Sequence, residues 1–433
     1  MAPDNQGTVV SSRLYRYIHN INTLYAAWRK VRSSALGSSS EKIRNEAKDF
    51  EARMPGSLRE IQSALTKKQF FFAPQTGVAP AKPNGSRRPI VLAPIPNRIV
   101  QRALLDALHL KVPFVKRVFA VPTSFGGIPD KRVSMAIAAA KAAMREGAKY
   151  HIRSDIPDFF TRIDKTRVLE LFAEHVKCPD TFSLFEAALQ TDLANLDALR
   201  REKIDELFPV GLQGVAQGSP LSPLVANIYL YDFDVKMNRE GITCLRYIDD
   251  FLLLGPDSAA VRKAFKAALS ELKGLGLDAY SPHARPDKAS HGLSATGVDF
   301  LGCTVTPGLV QPSKKSRSKF RERIHSDLDS SMRMMSAGAK QGVTNPRGTY
   351  SGALQHLDRV ILGWGKAFSF CQTDAQWARG VDAYISQELE RFERDTKRLL
   401  RGVDQVTQRR ILGVRLLVEV NADQDDGDIS AAV

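Results

Sequence analysis

The sequence predicts an α+β fold in which a small antiparallel sheet is enclosed by helices. Three observations lead there. In Arg246-Tyr247-Ile248-Asp249-Asp250-Phe251-Leu252-Leu253-Leu254-Gly255 two adjacent acids sit between apolar residues that otherwise read as a buried strand hairpin. A second short apolar run, His151 to Ile156, carries Asp155 and stops where Pro157 cannot continue a central ladder. Long stretches of helical periodicity lie on either side, over 165–210 and again beyond Ser313. With 433 residues, 43% of them hydrophobic, the chain can bury a sizeable core. At ~100–200 residues per domain it should divide into two to four subdomains.

In chain order, Leu14 to Val31 carries Tyr17, Ile18, Leu24 and Trp28 and reads as one short helix before a flexible Ser33–Ser40 break. Ser57-Leu58-Arg59-Glu60 has capping-box form, with Leu58, Ile61 and Leu65 at helical spacing. After a turn at Gly85, Ile90 to Leu92 is a short strand, and Asn97 is placed to cap a helix bearing Ile99, Val100, Ala103, Leu104 and Leu108. Ser134 to Ala148 is an alanine-rich helix. Ser222 and Pro223 supply an N-cap and first-turn proline for Leu224, Val225, Ile228 and Leu230. Ser313 to Lys319 reads as a basic hinge. Leu357, Ile361, Trp364 and Phe368 mark one amphipathic helix beyond it, and Trp377, Val381, Ile385 and Phe392 another. From Asn421 the chain is acidic and rich in small residues, the composition of a disordered tail.

Two carboxylates side by side among apolar residues raise each other's pKa unless a cation compensates. Oxygen-only donors suit Mg²⁺, and a two-metal arrangement needs acids from more than one strand, which makes Asp155 the candidate partner of Asp249 and Asp250. Lys and Arg total 62 against 47 acids, a formal charge of +15, as expected of a chain that holds polyphosphate. Cys178, Cys244, Cys303 and Cys371 show no metal-ligand spacing, so neither a zinc site nor a disulfide framework is expected. No apolar run approaches the ~18 residues of a membrane span, and a cytoplasmic protein without a membrane partner is expected.

Asp155-Ile156-Pro157-Asp158-Phe159-Phe160, then Gln217-Gly218-Ser219-Pro220-Leu221-Ser222-Pro223 opening an apolar helix, then Tyr247-Ile248-Asp249-Asp250, resembles in order and spacing the palm motifs of reverse transcriptases. Asp299-Phe300-Leu301-Gly302-Cys303 resembles the strand pair with which that family grips the primer. Lys82 to Ile90 resembles the fingers hairpin, while Pro96 to Leu104 and Ser124 to Gly127 resemble the fingers of group II intron-like enzymes. The resemblance runs from about residue 55 to 370.

It implies a right-hand polymerase with an antiparallel-sheet palm, helical fingers and an all-helical thumb. The expected divisions are an N-terminal helical extension (1–75), fingers (76–154), palm with an inserted helical segment (155–305), thumb (306–402) and tail (403–433). Two Mg²⁺ ions, or Mn²⁺ in their place, are expected at Asp155, Ile156, Asp249 and Asp250, with Asp155 and Asp249 the firmer ligands. Lys82, Arg88, Phe160, Gln217, Gly218 and Lys288 are expected at the nucleotide; Arg87 is as basic a neighbour as Arg88. Phe160 is implied as the aromatic that excludes a ribose 2′-hydroxyl, and Lys288 as proton donor to pyrophosphate. Arg98, Arg102, Tyr247 and Gly302 are expected at primer and template.

The implied activity is RNA-directed DNA polymerisation from dNTPs on a DNA primer. The template is expected to be a structured non-coding RNA, in an antiphage role of the abortive-infection or "unknown group" type. A group II intron maturase or RNA-binding splicing factor and a retron-type enzyme are the alternatives. A homo-oligomer stays open.

Overall fold

Asn20 divides the first apolar stretch: its side chain accepts from the Asn22 N–H, so residues 13–18 end one helical piece and α1, Ile21–Leu36, begins another. The computed structural model describes residues 13–38, 40–81, 85–209, 211–239, 241–342, 345–372 and 376–417. They belong to two compact units, Met1–Ser294 and Ala295–Val433.

In the first unit α1 continues through Ser33 and Ser34, so the expected break is confined to the residues after Leu36. Trp28 of α1 meets Phe50 of α2 (Glu41–Ala52), with ring centroids 4.6 Å apart. Helix α3, Met54–Thr66, starts ahead of the expected capping box because Pro55 suits a first turn, whose missing N–H needs no partner. Strands β1 (Thr76–Val78) and β2 (Ile90–Leu92) form the expected antiparallel pair. Helix α4, Ile95–Lys111, likewise starts at a proline, Pro96. Asn97 is therefore inside the helix and does not cap it; buried, it exchanges two hydrogen bonds with the Ala73 backbone.

A four-stranded antiparallel sheet holds the centre of this unit, in the order β4 (Thr243–Tyr247), β5 (Asp250–Gly255), β3 (Tyr150–Asp155), β6 (Ser290–Leu293). Helix α5, Val133–Arg145, packs on β4 and β5, and α7, Ser258–Gly274, on β3 and β5. Phe251 to Leu254 are consequently buried on both faces, which is why β5 shows no polar alternation. Helix α6, Ser222–Tyr229, begins with Ser222 as its first residue. Its hydroxyl donates to the Ala216 carbonyl, and Leu221 holds the cap position expected for it.

The second unit opens with the sheet β7 (Val298–Phe300), β8 (Cys303–Val305), β9 (Val310–Pro312). Because β7 pairs with β8 and β8 with β9, all within this unit, the boundary expected at residue 305 falls inside it. The 306–402 range also contains β9 and is helical only from Lys314. Ser313 caps α8, Lys314–Gln341, so the basic segment is a helix start and no hinge. Phe320, Ile324 and Leu328 of α8 pack with Leu357 of α9 (Tyr350–Ala367) and with Ile385 and Phe392 of α10 (Gln376–Leu400). Trp364 stacks on Phe320 at 4.3 Å, a core contact. All four cysteines are buried free thiols, although Cys303 and Cys371 approach to 3.9 Å between sulfurs. Gln405–Leu412 is helical within the expected tail; the acidic stretch from Asn421 lies outside the described residues. Among the described residues no helix is long and apolar enough to cross a membrane.

Candidate active site

Register alone brings the acids together. Asp155, the last residue of β3, lies directly opposite Asp250, the first of β5, and Tyr247 at the end of β4 faces Asp250 from the other side. Between them Ile248 turns the chain at φ +60, a conformation a β-branched residue adopts only under strain. Asp249 follows at the tip. Its carbonyl accepts from the N–H of buried Ile156 at 3.0 Å, linking the turn to the residue after Asp155.

Burial, then the charge of Asp155, pushes the Asp249 carboxyl up to about 6, with Arg88 and Lys288 opposing. Asp250 is also raised to about 6, by burial first, against the pull of Arg153. Arg153 forks onto Asp250, Nε to Oδ1 at 3.0 Å and Nη2 to Oδ2 at 3.3 Å. Lys288 Nζ stands 3.5 Å from Asp155 Oδ2. The Pro/His-containing insert that precedes Lys288 folds over the end of β3: Tyr280 donates to the Asp155 carbonyl and accepts from the Ser154 hydroxyl.

The donor chemistry, oxygen-only and with Asp249 raised towards neutrality, fits a hard divalent cation at Asp155 and Asp249. Among the described residues no three His, Cys, Asp or Glu side chains are gathered closely enough to enclose an ion by themselves. Mg²⁺ does not require such a cage, since it keeps waters and substrate oxygens.

Beside the acids lies a cleft of about 390 Å³ lined by Arg88, Arg98, Arg102, Phe160, Gln217 and Gly218. Of the two neighbouring arginines, Arg88 lines the cleft and its Nε donates to Gln217 Oε1 at 3.3 Å, whereas Arg87 pairs with Glu202. Lys82 lies outside the described residues. Phe159 is buried in the core, which leaves Phe160 to line the cleft. Gly218 has φ +119, and a Cβ there would stand 2.7 Å from the Val91 carbonyl; only glycine lets this loop lie against β2. Arg102 pairs with Asp106, which Lys30 of α1 also reaches, so the N-terminal helices form one wall of the cleft. Gly302, at φ +82 between β7 and β8, belongs to the second unit, where its carbonyl accepts from Ser313 and Ser316.

Arg153 and Arg246 were not among the expected site residues. Both are cations inside strands whose neighbours are apolar, and that mismatch is the sequence signal that marks them.

Acidic strand ends beside a basic cleft, on an antiparallel sheet with helices packed against it, have the form of a polymerase palm. Residues 80–305 match the family described as reverse transcriptase (RNA-dependent DNA polymerase), and the chain belongs to that family. It is 26% identical to the retron Mx65 reverse transcriptase of Myxococcus xanthus, over 54% of this chain and 51% of that protein. To the group II intron-encoded protein LtrA of Lactococcus lactis subsp. cremoris it is 25% identical, over 54% of this chain and 37% of the relative. The chain thus spans about half the length of such curated relatives, or less. Among solved structures, apo telomerase from Candida tropicalis truncated from its C-terminal domain aligns with a TM-score of 0.37 at 15% identity, over 56% of this chain and 55% of the other.

Proposed function

We propose that the chain is an RNA-directed DNA polymerase that adds deoxynucleotides to a primer 3′ end. The observation carrying this reading is the meeting of Asp155 with Asp249 and Asp250 beside the cleft that Arg88, Phe160 and Gln217 line. Bound Mg²⁺, one ion or two, or Mn²⁺ in its place, supplies a lowered pKa for the primer hydroxyl and charge neutralisation for pyrophosphate. Asp155, Ile156 and Asp249 would hold it; Asp250, already forked by Arg153, would contribute less. Arg88, steadied by Gln217, binds the triphosphate together with Lys82. Phe160 excludes the 2′-hydroxyl, and the Gln217–Gly218 backbone supports the template–nucleotide pair. Lys288 delivers a proton to the leaving group. Arg98, Arg102, Tyr247 and Gly302 meet template and primer. In this reading 76–154 serve as fingers, the four-stranded sheet as palm and α8 to α10 as thumb.

Supplying the purified protein with an RNA template, a DNA primer, dNTPs and Mg²⁺ tests the reading. Primer extension that is lost when Asp249 and Asp250 are both changed to Ala supports it, and extension that survives the change refutes it.

We take the template to be a structured non-coding RNA and the setting to be cytoplasmic antiphage defence, supported by the Gln217–Pro223 form and the helical segment after Ser313. Similarity to a retron reverse transcriptase supports a second reading as a retron-type enzyme. Sequencing nucleic acid that copurifies with the protein tests both: one companion RNA with its cDNA fits either, intron RNA points to a maturase, and no specific RNA counts against all.

A further inference from the structure

We propose that the buried Arg246–Asp234 pair is a positioning device that fixes Asp249 by gripping the peptide bond before it. Arg246 is fully buried on β4, and Asp234 on the preceding helix is nearly so. Nε donates to Asp234 Oδ1 at 2.6 Å and Nη2 to Oδ2 at 2.5 Å; Nη2 also reaches Ser124 Oγ and Asn227 Oδ1, each at 2.9 Å. Nη1 alone points elsewhere, to the carbonyl of Ile248 at 2.9 Å.

That carbonyl belongs to the strained turn residue and to the peptide whose N–H is Asp249's own. The peptide after Asp249 is held by the Ile156 N–H. Asp249 is therefore clamped on both sides, by a guanidinium anchored in the core and by the residue adjoining Asp155. The backbone closes the arrangement: Arg246 donates to the Thr123 carbonyl and accepts from the Phe125 N–H, an isolated parallel bridge that ties the loop before Gly126 to β4. Gly126 lies against Ile248 so tightly that a Cβ would stand 2.5 Å from its nitrogen. A pair serving stability alone would satisfy its charges and stop there. This one spends a donor on the turn.

The inference rests on the polymerase reading, and its test keeps the two separable. The doubly changed protein Arg246→Met with Asp234→Leu removes both charges at similar volume, a replacement that buried ion pairs commonly tolerate without loss of fold. Arg246→Lys is the companion variant, keeping a cation for Asp234 but unable to fork to Ile248. Expected in both is a single-turnover incorporation rate lowered by about 10- to 100-fold, since ~1 Å of misplacement costs on that order. KM for dNTP should move less than about 3-fold on the same basis, because no nucleotide-binding residue is touched. Amide hydrogen exchange should accelerate at Ile156 and Asp249 with β3 and β5 otherwise protected. That readout needs no activity: loosened amides in an inactive parent would sustain the clamp and sink the polymerase reading. Unchanged exchange at both amides, or rates falling only in step with global unfolding, would overturn the proposal.

Discussion

Arg153 forks onto Asp250 across the sheet, so the side chain of the second acid of the Tyr247–Asp250 run is tied to the protein itself, while Asp249 at the tip is held through its backbone carbonyl. The two neighbours should therefore differ in use. Losing a metal ligand forfeits several kcal/mol of transition-state stabilisation, and Asp249→Asn should lower the incorporation rate by ~10³-fold or more. Asp250→Asn, removing a supporting group, should cost about 10- to 100-fold. Single-turnover primer extension measures both. Equal losses would remove the distinction between them.

Asp249 and Asp250, raised to about 6 largely by burial, also set a pH limb. Protonated Asp249 does not ligate a cation, so at limiting Mg²⁺ the incorporation rate should climb with pH up to about 6 and level off above it. Saturating Mg²⁺ competes with protons and should move the limb to lower pH. In the metal-free protein the sign for stability is opposite. With folded pKa values above the unfolded ones, the folded state binds more protons between about 4 and 6, and these two groups make it less stable as pH rises through that window. Rate profiles at two Mg²⁺ concentrations decide; a limb that ignores the metal would separate these carboxylates from its binding.

Much of this site was legible because its chemistry is concentrated in short, ordered motifs. Asp155, Asp249 and Asp250 stand out as acids in apolar strands, and the turn between β4 and β5 follows from that pattern. What the sequence could not supply were partners distant along the chain. Asn97, Ser57 and Ser222 each suit a cap by local rules, yet prolines start their helices elsewhere or tertiary bonds claim their side chains. Lys288 comes near Asp155 only because the insert folds back over β3, a long-range event that spacing does not encode. The β7–β8 hairpin reads like palm, but its pairing with β9 puts it in the second unit.

Lys165 is fully buried, its ammonium donating to the Leu189 carbonyl at 3.1 Å, and burial lowers its pKa to about 8. The folded state then binds fewer protons than the unfolded one between pH 8 and 10.5, so stability from this group should rise across that interval and be lowest below it. At ~1.4 kcal/mol per unit, Lys165→Met should stabilise the protein at pH 7 by about 2 kcal/mol after allowing for the lost hydrogen bond. It should also flatten the rise above pH 8. Denaturant melts of parent and variant at pH 7 and 9.5 measure both effects, and a variant that melts earlier at pH 7 would show the ammonium to be a net stabiliser.

Phe160 faces the cleft while its neighbour Phe159 is absorbed by the core, so shortening it changes the site without opening the interior. A steric gate against one hydroxyl is worth about 1–3 kcal/mol, and Phe160→Ala should lower deoxynucleotide over ribonucleotide selectivity by roughly 10- to 100-fold. The change should come through ribonucleotide use, with deoxynucleotide incorporation reduced only modestly, because Arg88, Gln217 and the acids are untouched. Competing dTTP and UTP on one RNA template reads the ratio directly. Loss of both activities together would mean that Phe160 supports the cleft, and unchanged sugar choice would assign the gate to another residue.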